Sequence, residues 1–124
     1  MFENIHIDYS HLDRPEVLTG LFHPRADYEP AEKPPDAIDL LIPVEDNAVI
    51  GGRFYMAEKS FPNILFFHGN GEIVSDYDDM GPLYNRMGMN FLAADYRGYG
   101  RSTGRPTVTA MMRAKPIVWI QLRA

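Results

Sequence analysis

The chain has 124 residues, 45% of them hydrophobic, which is enough for one small domain with a core and too little for two complete ones. With 12 Lys and Arg against 17 Asp and Glu the formal charge is -5, so no basic surface is available to neutralise a phosphate backbone, and nucleic acid is a poor partner class. The absence of cysteine excludes a disulfide framework, a thiolate zinc site and a cysteine nucleophile, and it fits a reducing compartment.

Met1 to Asp8 has neither a basic leader nor an apolar stretch of signal-peptide length, and no later run approaches a membrane span, so the chain reads as soluble and cytoplasmic. Residues 1–36 are polar and interrupted by Pro15, Pro24, Pro30, Pro34 and Pro35. They read as a proline-rich N-terminal arm in which only the stretch from Pro15 to Phe22 predicts a turn or two of helix. Residues 37–124 read as the domain proper.

From Ala37 the texture changes. Ile38, Leu40 and Ile42 alternate with their neighbours, Glu45-Asp46-Asn47 supplies turn chemistry, and Val49 to Met56 follows, which predicts an antiparallel hairpin with a bulge at Gly51-Gly52. Asn63 to Phe67 is a continuous apolar run, as in a strand buried on both faces, and it ends at His68-Gly69-Asn70-Gly71. Ser75 is then placed to cap a helix whose first turn carries Asp76, Asp78 and Asp79, a distribution the helix dipole explains. Tyr77, Met80, Tyr84 and Met87 fall at core spacing, Gly81-Pro82 predicts a kink or split, and Gly88 a stop. A second buried strand, Asn90 to Ala94, runs into Asp95-Tyr96-Arg97-Gly98-Tyr99-Gly100-Arg101-Ser102. Strand, helix and strand in this span form a parallel crossover unit, so the expected class is α/β. Pro106 and Thr107 open another helix, which Pro116 should interrupt, leaving Ile117 to Leu122 as a strand or a displaced piece of helix.

A buried strand ending in His68-Gly69-Asn70-Gly71, a helix, and a strand ending in the Asp95–Ser102 loop resemble the α/β-hydrolase family, in particular its esterases, thioesterases, lipases and aminopeptidases. The resemblance covers roughly residues 37–112 and only the N-terminal portion of the fold. It implies that the loop after the first of these strands supplies an oxyanion-hole N–H, from Asn70 or Gly71, with Gly69 and Gly71 letting backbone approach substrate closely. It implies support roles for Asp95 and Arg97, which brace the second loop, and for Gly98 and Gly100, which permit its turns. His68 reads as a structural histidine bonded to neighbouring loop backbone, because the family's base lies downstream of its acid.

Gly100-Arg101-Ser102-Thr103-Gly104 satisfies G-x-S-x-G, yet Ser102 is a poor nucleophile. An elbow needs a strand running straight into its first glycine and a helix right after the serine, whereas here a glycine-rich loop precedes it and Thr103-Gly104-Arg105-Pro106 follows. His6, His11 and His23 lack metal-ligand spacing and read as solvated, so neither metal nor cofactor is expected.

The nucleophile, acid and base that the resemblance calls for are not recognisable among these residues, so the chain reads as an incomplete serine hydrolase, truncated before the nucleophile strand and inactive alone. The complete form would cleave small ester, thioester or amide substrates. Ala114-Lys115-Pro116 breaks what should be a long helix, which raises the expectation of a truncated or frame-shifted product after Arg113. The alternative is a non-catalytic binding protein derived from a hydrolase, in which an exposed sheet edge favours an oligomer or a complementing chain.

Overall fold

A computed structural model describes residues 7–27 and 33–123. Four strands, β1 (Ala37–Pro43), β2 (Val49–Tyr55), β3 (Asn63–Phe67) and β4 (Asn90–Ala94), form one sheet in the order β1-β2-β4-β3. β1 and β2 are antiparallel, β2 and β4 are antiparallel, and β3 lies parallel to β4 with Phe67 opposite Ala94. The two glycine-rich loops therefore leave the same end of neighbouring parallel strands, as the α/β expectation requires.

The hairpin turn holds Asp46 and Asn47 at φ of 61° and 58°, a left-handed pair that these two residue types tolerate best after glycine. Register runs unbroken through Leu41–Gly51 and Leu40–Gly52, so the bulge predicted at Gly51-Gly52 is absent. Gly51 serves close packing instead: a Cβ there would stand 3.3 Å from Cβ of Arg101, where the second loop crosses over β2.

Both sheet faces are covered. Ile42, Ile50, Leu92 and Ala94 meet Ala114 and Val118 on one side, and Ala37, Tyr55, Phe91 and Ala93 meet Val74, Tyr77 and Tyr84 on the other. The β3–β4 crossover is not one kinked helix. A 3-10 turn (Val74–Tyr77) is followed by α2, Met80–Arg86, and the break falls at Asp78-Asp79, ahead of Gly81-Pro82. Pro82 then occupies the first turn, where its missing N–H is no loss. Ser75 lies inside the 3-10 turn and does not cap it. Asp76 does so, accepting from the Ile73 N–H at 3.1 Å. Of the residues at core spacing, Tyr77 and Tyr84 pack inward while Met80 and Met87 are exposed.

The last helix, α3 (Val108–Arg123), continues through Pro116, contrary to the interruption predicted there. Ala114, Ile117, Val118 and Leu122 lie on the sheet-facing side of one continuous helix, and their burial holds it together across the missing proline N–H. The stretch after Arg113 is thus helix, not strand, and the break that motivated a frame-shift reading is not present. No helix of the described residues is long and apolar enough to cross a membrane.

Residues 9–27 of the N-terminal segment pack against the loop after β4 and the start of α3. After a 3-10 turn (Ser10–Leu12) and α1 (Pro15–Leu21), Phe22 is buried with Tyr99 and Val108. Asp13 caps α3 across the chain, accepting from the N–H groups of Val108 at 2.8 Å and Thr109 at 3.2 Å and from the Thr109 hydroxyl. His6 lies outside the described residues, while His11 and His23 are exposed.

Candidate active-site loops

The loop after β3 turns sharply. The Glu72 N–H donates to the Gly69 carbonyl at 3.2 Å, and the Glu72 carboxylate accepts from the Gly69 N–H at 2.6 Å and from the Tyr77 hydroxyl at 2.7 Å. That hydroxyl's pKa is pushed up to about 12, by burial first and then by its bond to the carboxylate. Gly71 has φ +78°, and Asn70 stands exposed between the two glycines. Among the described residues, the main-chain N–H of Asn70 donates to no protein acceptor.

His68 is buried to 1% exposure at the root of this loop. Its Nδ1 contacts the Gly69 carbonyl at 2.9 Å, and its Nε2 lies 2.6 Å from Oδ1 of Asp95. Burial pulls the imidazole pKa down, but the hydrogen bonds to Asp95 and to the Gly69 carbonyl, together with the Asp95 charge, outweigh it and raise the group above its ordinary value. Asp95 also accepts from the Val74 N–H at 3.1 Å, so one carboxylate joins the ends of both parallel strands to the start of the crossover. The Tyr96 hydroxyl adds a bond to the His68 carbonyl at 2.7 Å.

In the second loop Gly98 and Gly100 have φ of +81° and +52°. Any side chain at Gly100 would collide with Asp95, since its Cβ would fall 2.1 Å from Oδ2. Arg97 reaches across to the hairpin, donating to the Glu45 carbonyl at 3.0 Å and pairing with Asp46 at 3.5 Å. It braces the β1–β2 turn, whereas the sequence pointed to its own loop. A cavity of about 400 Å³ beside it is lined by Asp13, Glu45, Asp46, Arg97, Arg105 and Arg113 among others, and none of residues 68–71 line it.

Asp76 and Asp79 of the acidic cluster lie at helix starts, and two of its members also take cationic partners. Asp76 pairs with Arg25 at 2.6 Å. Asp78 meets Arg53, which is 1% exposed in the middle of β2, at 3.0 Å, and accepts from the Tyr55 hydroxyl. Among the described residues no group of three or more His, Cys, Asp or Glu side chains could hold a metal ion.

No family model matches the chain. Among curated proteins, alpha/beta hydrolase domain-containing protein 17B of Homo sapiens is 32% identical over 108 residues, covering 80% of this chain and 35% of the relative. Alpha/beta hydrolase domain-containing protein 17C of Mus musculus is 31% identical over 106 residues, covering 80% of this chain and 32% of the relative. The solved structure of DcsB in complex with its substrate analogue superposes with a TM-score of 0.62 at 19% identity, over 71% of this chain and 32% of that one, which bears on the fold alone. The chain belongs to the α/β-hydrolase family. It spans about a third of the length of the curated relatives it matches.

Within this α/β-hydrolase portion, Ser102 is buried and its hydroxyl is engaged on both sides. It accepts from the Gly51 N–H at 2.8 Å and donates to the Asp95 carbonyl at 3.0 Å. The G-x-S-x-G pattern here is a strand-to-loop bracket. Two residues that shape the loops carried no signal in the sequence. The Tyr99 hydroxyl donates to Oδ1 of Asn70 at 2.8 Å, and the His23 N–H reaches both of those oxygens. A tyrosine in a glycine-rich loop and a histidine in a proline-rich arm look like ordinary surface residues until the chain is folded.

Proposed function

We propose that this α/β-hydrolase portion supplies the oxyanion wall of a serine hydrolase acting on ester, thioester or amide bonds, with the main-chain N–H of Asn70 as donor. Attack on a carbonyl carbon moves charge onto the carbonyl oxygen, and one fixed N–H facing that oxygen stabilises the transition state by about 2.7–4 kcal/mol. The supporting observation is that, among the described residues, the Asn70 N–H has no acceptor in an exposed turn whose Gly69 N–H and Asn70 Oδ1 are both held. The Gly71 N–H, which likewise has no acceptor among the described residues, is the second candidate. The nucleophile of this reading is a serine other than Ser102, with its own base and acid. A cytoplasmic location accords with the lack of cysteine.

The test is fluorophosphonate labelling and short-chain ester turnover by the longest natural product that contains residues 1–124, beside the chain itself. Label on a serine outside the chain, and turnover that falls about 100-fold or more in Asn70→Pro, which lacks the N–H, are the expected results. Label that disappears in Ser102→Ala would overturn the assignment.

A second reading is favoured by the outer edge of β3, which among the described residues pairs with β4 on one side only. Its apolar side chains Ile64 to Phe67 are half-buried, and the strand itself carries neither proline nor charge. In this reading the portion is an interaction module that accepts a strand from a second copy or a complementing chain. A solution mass above that of one chain, with no label and no turnover in either product, would favour it.

A further inference from the structure

The geometry points to Tyr99, together with the main chain of His23, as the device that positions Asn70; this rests on the reading of Asn70 as oxyanion donor. Tyr99 is 0% exposed, and its ring lies 5.6 Å from that of His68 and 5.5 Å from that of Tyr96, in a cluster with Phe22 and Val108. A phenylalanine would satisfy that packing. The hydroxyl does something more specific, donating to Oδ1 of Asn70 at 2.8 Å while accepting from the His23 N–H at 2.7 Å. The same His23 N–H lies 2.9 Å from Oδ1 of Asn70, which closes a triangle of three polar groups from three separate stretches of chain.

The segment carrying His23 is itself clamped. The Gly100 N–H donates to the Arg25 carbonyl at 2.7 Å, the Asp27 N–H donates to the Gly100 carbonyl at 3.2 Å, and Arg25 pairs with Asp76. Residues 22–27 therefore strap the second loop down and, through Tyr99, fix the first.

The physical need is clear. An N–H stabilises a developing charge cheaply only when it already points at the right place, because reorientation during the reaction costs what the contact returns. Asn70 has glycine on either side, and glycine brings no stiffness of its own. Anchoring the Asn70 side chain from two directions holds the peptide while leaving its N–H free. Tyr99 is a positioning residue in this scheme and touches no substrate.

The experiment is 15N relaxation on the chain, on Tyr99→Phe, and on Asn70→Ala, which keeps the main-chain N–H and removes the anchor. The order parameters at residues 70 and 71 should be about 0.85 in the unaltered chain and fall to about 0.6 or below in each variant, while those of β3 and β4 stay high. The double variant should fall no further, since both changes break one linkage. Unchanged order parameters in Tyr99→Phe, or effects that simply add, would overturn the positioning role; if Tyr99→Phe does not fold, Asn70→Ala at the exposed turn decides. Hydrogen exchange on the same unaltered sample tests the donor reading separately. Asn70 should exchange at the rate of an unstructured amide, and protection greater than about tenfold would mean its N–H is already engaged, overturning the donor reading whatever Tyr99 does.

Discussion

Nε2 of His68 and Oδ1 of Asp95 stand 2.6 Å apart, each residue 1% exposed, and this contact ties the end of β3 to the end of β4. Because the folded imidazole is raised above its ordinary 6.5, its contribution is present below that pH, down to where Asp95, raised above its ordinary 3.8 by burial, takes up a proton, and it is lost as pH climbs through the folded imidazole value. Asp95→Asn should therefore cost about 3 kcal/mol or more at pH 6 and less once the pH has climbed through the folded imidazole value. Urea midpoints of the two proteins across that range are the measurement. A loss that does not shrink with rising pH would contradict a charged imidazole.

Ser102 should behave as a structural residue. Ser102→Ala leaves the Gly51 N–H and the Asp95 carbonyl without their shared partner, in a site 8% exposed, at a cost of about 1–3 kcal/mol. Thermal melting should record that loss, and any fluorophosphonate labelling should be unchanged by the same substitution.

Arg53 joins three elements. Its fork donates to both Asp39 oxygens, at 2.7 and 3.3 Å, and to Asp78 at 3.0 Å, and a lysine cannot reproduce those bonds together. Arg53→Lys should lose about 1.5–3 kcal/mol near neutral pH. Burial raises the Asp39 carboxyl, but the Arg53 hydrogen bond and the charges of Arg53, Arg101 and Lys33 carry it below its ordinary 3.8. A depressed carboxylate contributes above 3.8 and loses that contribution as pH falls through the folded value, so Arg53→Lys should also unfold at a higher pH on acid titration.

Asp13 caps a helix that begins 95 residues further along the chain. Asp13→Ala should lower stability by about 1 kcal/mol and speed hydrogen exchange at Val108 and Thr109 ahead of the rest of α3. Equal exchange in both proteins would show that water caps the helix as well as the carboxylate does.

Strands, hairpin turn and the two glycine-rich loops were legible in the residues because each depends on neighbours: alternation in β1, unbroken apolar runs in β3 and β4, and turn chemistry at Asp46 and Asn47. The α/β class followed from the order of those elements. Local reasoning failed where a distant surface intervened. Pro116 should break a helix, but Ala114, Ile117 and Val118 bury against the sheet on both sides of it. Asp78 looked like a helix-start carboxylate because its partner, Arg53, comes 25 residues earlier on a strand where a charge reads as solvated.

What the sequence determined by itself is the set of short-range elements and the loop that presents Asn70, since φ/ψ preference and side-chain alternation act over a few residues. Only the tertiary structure decided which groups hold that loop. Placing β4 between β2 and β3 brings His23, Asn70 and Tyr99 together from three stretches of chain, and it buries Ser102 where its hydroxyl has two partners. Hydrogen bonds between distant segments form only after the chain has closed the intervening loops, so no local pattern announces them.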